Sequence, residues 1–437
     1  MHQSWVIARE FAARAVTRSP NRLRSRQSRR ICVAKTTVLG GLSLRLCWKV
    51  QVLRIQLWTS TNPQPKRHMT SASRENNFDV LRLVLAVLVI YSHSFPLATG
   101  IQDNEPFYVI TRRQMTFGGF SVNCFFIVSG YLIAQSWERT SSLWKYMRKR
   151  FARIHPGFIV AMAVSSWIVV ICAGTPARAT FNRHYLLDFL KTVPLLRDPT
   201  WPQVFVNNPM PLAVNGSTWT IHYEFFCYIV LAAMGLVGMF ARRRLVLLTY
   251  VVSIVALGEF EACNLHFGAD KLTAVGLNLV RFIPLFLAGV VYYSYRESLP
   301  CNGKWALAAL LGLVVSARSF HGLNFVFPIL GAYLLFYLAF SRYIRLYRFA
   351  KYGDFSYGTY LYAFPIQQLV VHWHGGRIAP TQLFVWSAPL ALLVGAASWY
   401  LVERPFLRPR KKGDHRGAVV NWAAPDGPGL ESPKAES

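Results

Sequence analysis

Ten apolar stretches, most of them near the roughly 20 residues a helix needs to cross a bilayer, dominate this chain. They cover 78–98, 116–136, 157–174, 219–240, 245–258, 273–295, 305–317, 324–340, 355–374 and 382–402, the fifth and seventh being short. Hydrophobic residues make up 53% of the 437 and charged residues 15%, against about 25% charged in ordinary soluble domains. That excludes a typical cytosolic enzyme, and the wealth of aromatic and aliphatic side chains excludes a disordered chain. The expected fold is all-α: a polytopic membrane bundle of about ten transmembrane helices.

The few charges are lopsided, with 48 Lys+Arg against 19 Asp+Glu and a net of +29. A nucleic-acid binder and a membrane protein with cationic loops both fit such an excess, so its location decides. If the N-terminus is cytoplasmic and the spans alternate, the inner connections up to residue 413 hold 20 Lys+Arg in 55 residues. The outer connections then hold 9 in 88. Lys/Arg-rich short loops stay inside, so both termini are expected in the cytoplasm and no nucleic-acid partner is expected. Residues 1–75 carry 15 Lys+Arg and only Glu10 and Glu75 as acids. They read as a basic, disordered extension; a phosphate-binding arm and an upstream reading frame ahead of a start at Met69 are the alternatives. Residues 76–407 form the membrane domain and 408–437 a polar tail. Seven scattered Cys show no zinc spacing, and no phosphate loop or dinucleotide fingerprint is present, so neither a metal nor a bound cofactor is expected.

Ionisable residues inside a span are costly and mark functional candidates. The first span carries Asp79, Arg82 and His93. At about 100° per residue, Arg82 and His93 lie within about 20° of each other around the helix, roughly 16 Å apart along it. Asp79 lies within about 60° of Arg82, an acid–Arg pair near one surface. Glu224 is expected one to two turns inside the outer surface, Arg281 in the outer half of the sixth span, and both at the depth of His93. Lys145–Arg153 reads as a positive-inside anchor that would also hold the phosphates of an anionic cosubstrate. The small residues of Thr116–Tyr131 permit close helix packing.

Six segments in this order resemble the integral membrane acyltransferase 3 family, which O-acylates bacterial polysaccharides and related glycans. They are Asn77-Phe-Asp-Val-Leu-Arg82 with His93 eleven residues on, Phe125-Phe-Ile-Val-Ser-Gly-Tyr131, Arg148-Lys-Arg-Phe-Ala-Arg-Ile-His-Pro156, Ser217-Thr-Trp-Thr-Ile-His-Tyr-Glu224, Phe355-Ser-Tyr-Gly-Thr-Tyr-Leu-Tyr-Ala-Phe-Pro365 and Tyr400-Leu-Val-Glu-Arg-Pro405. The resemblance spans about 77–407 and implies a stand-alone form without an SGNH domain. It implies that His93, Glu224 and Arg82 are catalytic, and that Asp79, Arg281, Arg148, Arg150, Arg153 and Trp219 bind substrate. Asn123 and Ala363 stand where relatives often have an acid and a His, so neither takes an acid–base role. The implied cosubstrate is acetyl-CoA or another acyl-CoA and the acceptor a glycan or lipid-linked glycan, in the bacterial inner membrane among lipid. His93 would act as general base or carry a transient acyl group, with Arg281 at the oxyanion. Loop 175–218 is a glycan-facing surface or a connector. A transporter relaying protons through buried His, Glu and Arg is the rival reading, although no repeat relates 78–240 to 245–402.

Overall fold

A computed structural model describes residues 76–407 except 141, 174–181, 202–203, 212, 264–270, 319–321 and 342–352. The expectations for 1–75 and 408–437 lie outside the described residues. All ten apolar runs are helical, and no strand occurs among the described residues. In chain order the helices are α1 (Phe78–Thr99), α2 (Pro106–Ile110), α3 (Phe117–Glu138), α4 (Leu143–Ala173), α5 (Arg183–Thr192), α6 (Ile221–Leu236), α7 (Arg243–Cys263), α8 (Lys271–Ser294), α9 (Gly303–Arg318), α10 (Gly322–Val326), α11 (Ala332–Phe340), α12 (Ser356–Trp373), α13 (Pro380–Ser398) and α14 (Arg404–Phe406). Single π turns, Phe327–Gly331 and Trp399–Glu403, join α10 to α11 and α13 to α14. Among the described residues six helical stretches are long and apolar enough to cross a membrane. Together with the shorter helices they build a polytopic membrane bundle.

The α4 helix starts earlier than its apolar run. Lys145–Arg153 is helical rather than a loop, because Lys and Arg are good helix formers even where hydropathy drops. Chain entry into α3 is fixed locally. The Thr116 hydroxyl accepts the Gly119 N–H at 2.9 Å, a standard N-cap. The Glu105 carboxylate accepts both Tyr108 N–H at 2.6 Å and Phe117 N–H at 3.0 Å, so one buried side chain starts α2 and α3 together.

The core is built on α3, which packs extensively on α8 and α1, while α12 packs on α13 and α1. Phe78 meets Tyr131 with ring centroids 5.5 Å apart, and Gly118 lies against Ser92. The helices α1 and α3 therefore run antiparallel, which levels Arg82 with Ser129 and His93 with Gly118. The α3–α8 contact depends on two glycines: a Cβ on Gly130 would overlap the Phe286 carbonyl, and one on Gly289 the Ile127 carbonyl. Close backbone approach of this kind drives helix association in lipid, where the hydrophobic effect contributes little. Gly130→Ala is expected to cut the folded yield in detergent severalfold. Gly276→Ala, with nothing within 4 Å of the added carbon, is expected to be neutral or slightly stabilising. Size-exclusion profiles of both variants check this; equal yields would refute it.

Candidate active site

The chain just before α12 turns into the bundle at Gly353, whose φ of +123° suits glycine and whose bare Cα faces the Trp399 indole. That turn delivers Asp354 to two arginines, Arg82 of α1 and Arg153 of α4, each ion-paired to the same carboxylate oxygen. Arg153 also donates to Glu403 at 3.1 Å, and its guanidinium lies over the rings of Tyr357 and Trp399 at 5.5 and 5.6 Å. Asp354 accepts the Ser356 hydroxyl at 2.5 Å. Burial alone would push the Asp354 carboxyl up, but Arg82, Arg153 and Ser356 outweigh it and hold it down at about 2. Four segments distant in sequence thus meet at one charged knot.

Beside the knot lies an open cavity, about 490 Å³ with the space it shares with solvent, lined on its polar side by Arg82, Ser129, Glu224, Ser356, Tyr357 and Tyr360. Both Ser129 and Tyr228 donate to Oε1 of Glu224, the latter at 2.5 Å. Arg150 lies one turn from Arg153 and within electrostatic reach of Glu224, 5.9 Å from the rings of both Tyr146 and Tyr228. Arg148 is exposed. Two residues are about 200° around a helix, so the basic run divides into a solvent-facing Arg148 and an inward Arg150–Arg153 pair.

His93 sits beyond the far end of this cavity. Its ring packs edge-on against Phe364 at 5.3 Å, one helical turn from Tyr360, and its buried Nδ1 has no hydrogen-bond partner among the described residues. Near that level Arg281 donates to Asn123 at 3.4 Å and lies 5.4 Å over the Phe282 ring. Trp219 is 40% exposed, packed at 5.8 Å on the other ring neighbour of the site, Phe282.

The family model described as an acyltransferase domain matches residues 75–404. The chain belongs to the acyltransferase 3 family. This acyltransferase is 26% identical over 336 residues to the O-acetyl transferase of Shigella phage Sf6, covering 76% of this chain and 96% of that one. It is 25% identical over 361 residues to nodulation protein 10 of Rhizobium leguminosarum bv. viciae, covering 78% and 95%. No solved structure matches it.

Against the expectations from sequence, the acyltransferase shows two rearrangements. Arg82 takes its ion pair from Asp354, while Asp79 stays within electrostatic reach of Arg82, Arg153 and Asp354. Glu224 is level with Ser129 and Arg82, not with His93 and Arg281. The cause is the stretch ahead of α6, which enters the protein before the helix begins. Asn215 donates to the Leu361 carbonyl at 2.9 Å, and Thr220 and the Ser217 carbonyl bind the Tyr360 hydroxyl at 2.9 and 2.6 Å. Gln368 binds the carbonyls of Met210 and Ala213. The part of loop 175–218 nearest α6 is therefore packed into the bundle. Sequence reasoning missed Asp354, Ser129 and Tyr228 as partners; the Gly353-Asp354 step ahead of the Phe355-Ser-Tyr-Gly motif was the available signal.

Proposed function

We propose that this enzyme transfers an acetyl group from acetyl-CoA to a hydroxyl of a glycan such as an exopolysaccharide, O-antigen or lipo-oligosaccharide. It works in the bacterial inner membrane with both termini in the cytoplasm. The observation that carries the reading is the column along α1: a cationic, partly acidic cavity at the Arg82 end, and one turn past its far end an imidazole whose Nδ1 has no hydrogen-bond partner among the described residues. The near-complete coverage of the phage O-acetyl transferase supports it, and the density of Lys+Arg on the Arg82-side connections supports the orientation.

Acetyl-CoA enters from the cytoplasmic end, its phosphates drawn to exposed Arg148 and to the Arg82, Arg150 and Arg153 side chains, where charge-assisted hydrogen bonds to phosphate oxygens are strong. Asp354 and Glu403 balance these cations when the donor is absent. The pantetheine arm runs through the cavity past Glu224, which with Asp79 shapes the donor side. This brings the thioester to the His93 level. There His93 takes the proton from the acceptor hydroxyl as its oxygen attacks the thioester carbonyl; the C–S bond breaks and the leaving thiolate takes that proton back. Arg281, held by Asn123 and Phe282, faces charge developing on the carbonyl oxygen. Trp219, half-exposed at the same end, offers an aromatic face to the sugar.

Purified protein in nanodiscs, given acetyl-CoA and de-O-acetylated glycan, is expected to release free CoA in step with ester formed on the glycan. Solute movement across liposomes with no CoA release would sink the enzymatic reading in favour of transport.

A further inference from the structure

The cavity changes character along its length, and the change falls on one face of α3. Val122, Phe125, Phe126 and Ser129 all line it, and at about 100° per residue they fit within a 100° arc. Ser129, level with Arg82, belongs to the polar end. Val122 and the two phenylalanines, with Ile221 and Thr220 opposite, form the side wall of its end toward His93. Two fixed contacts make that wall rigid. Phe126 is stacked on fully buried Phe282 with centroids 4.3 Å apart and planes 2° from parallel. Phe125 meets the edge of Tyr360 at 6.0 Å, and Tyr360 cannot swing away because its hydroxyl is bound by Ser217 and Thr220. A donor whose phosphates sit at the arginines places its acyl group alongside this wall, the most apolar part of the lining, where the Thr220 hydroxyl is already bound to Tyr360. Close-packed walls of this kind discriminate by volume: each methylene that fits gains, and each that does not forces strain.

We propose that Val122, Phe125 and Phe126 form the stop that sets acyl-chain length and confines the donor to short acyl groups. This rests on the acyl-CoA reading of the cavity. Purified enzyme is given acetyl-, butyryl- and hexanoyl-CoA with the same glycan, and kcat/KM is measured for each. Wild type is expected to fall steeply beyond acetyl. In Phe125→Ala the butyryl-to-acetyl ratio is expected to rise about tenfold or more, the gain of burying two methylenes. Val122→Ala is expected to move it the same way by less and is the second variant should Phe125→Ala not fold. The wild-type profile needs no variant at all: equal turnover of all three donors overturns the stop. A ratio that stays at the wild-type value in the variants, with acetyl turnover present, also overturns it and leaves the donor reading standing. Failure of wild type to turn over any acyl-CoA overturns the donor reading and the stop together.

Discussion

Asp354→Ala will lower the thermal midpoint of the detergent-solubilised protein and abolish glycan acylation. The carboxylate is the shared counter-ion of Arg82 and Arg153, and its side chain is only 13% exposed. Removing one member of a buried ion cluster leaves charge stranded and costs about 3–5 kcal/mol. Arg153 retains Glu403, so most of the loss falls on Arg82, the residue that lines the cavity. Because the folded carboxyl is held at about 2 against an ordinary 3.8, ionisation alone contributes about 2 kcal/mol. That contribution is complete above the unfolded value and is lost as pH falls through about 2. Asp354 itself therefore adds no pH dependence to stability from pH 5 to 8. Thermal melts of Asp354→Ala, Arg82→Met and the double variant form the cycle that isolates the coupling. The double variant should recover stability relative to Asp354→Ala, since an apolar replacement of the whole pair is nearly neutral, yet it should stay inactive. Additive losses would show that the ion pair does not organise this end of the bundle.

The pattern of what could be read from residues alone has a physical basis. Transmembrane helices announce themselves because lipid leaves every backbone polar group to be satisfied within the helix, so each apolar run became a helix. The helical period likewise put Arg82 and His93 on one face. What escaped depended on long-range geometry. Asp354 belongs to no apolar run, and only the fold shows that the turn at Gly353 carries it between α1 and α4. Glu224 lay deeper than its place in the apolar run implied, because Asn215–Thr220 is tied to Tyr360 and Leu361 inside the bundle rather than at its surface. Hydropathy also ended the third span at Gly157, while the helix itself runs back to Leu143 and turns Arg150 and Arg153 inward.

The second large effect is expected at His93. An imidazole that accepts the acceptor's proton contributes typically 10²–10⁴-fold, so His93→Ala should lose that much acetyl transfer while still binding acetyl-CoA at the arginine end. Its ring meets Phe364 edge-on, and its Nδ1 makes no hydrogen bond among the described residues that the substitution would break. Folding should survive, and His93→Gln, which keeps the bulk and a hydrogen-bonding tip, should be equally inactive. Arg82 variants differ in kind, raising KM for the donor as well as lowering kcat.

The direct measurement is the ester content of surface glycan from cells carrying wild type, His93→Ala or His93→Gln at matched membrane levels of the protein. Ester is predicted to fall to the level of a deletion strain in both variants; wild-type ester with His93→Ala would contradict the catalytic column along α1.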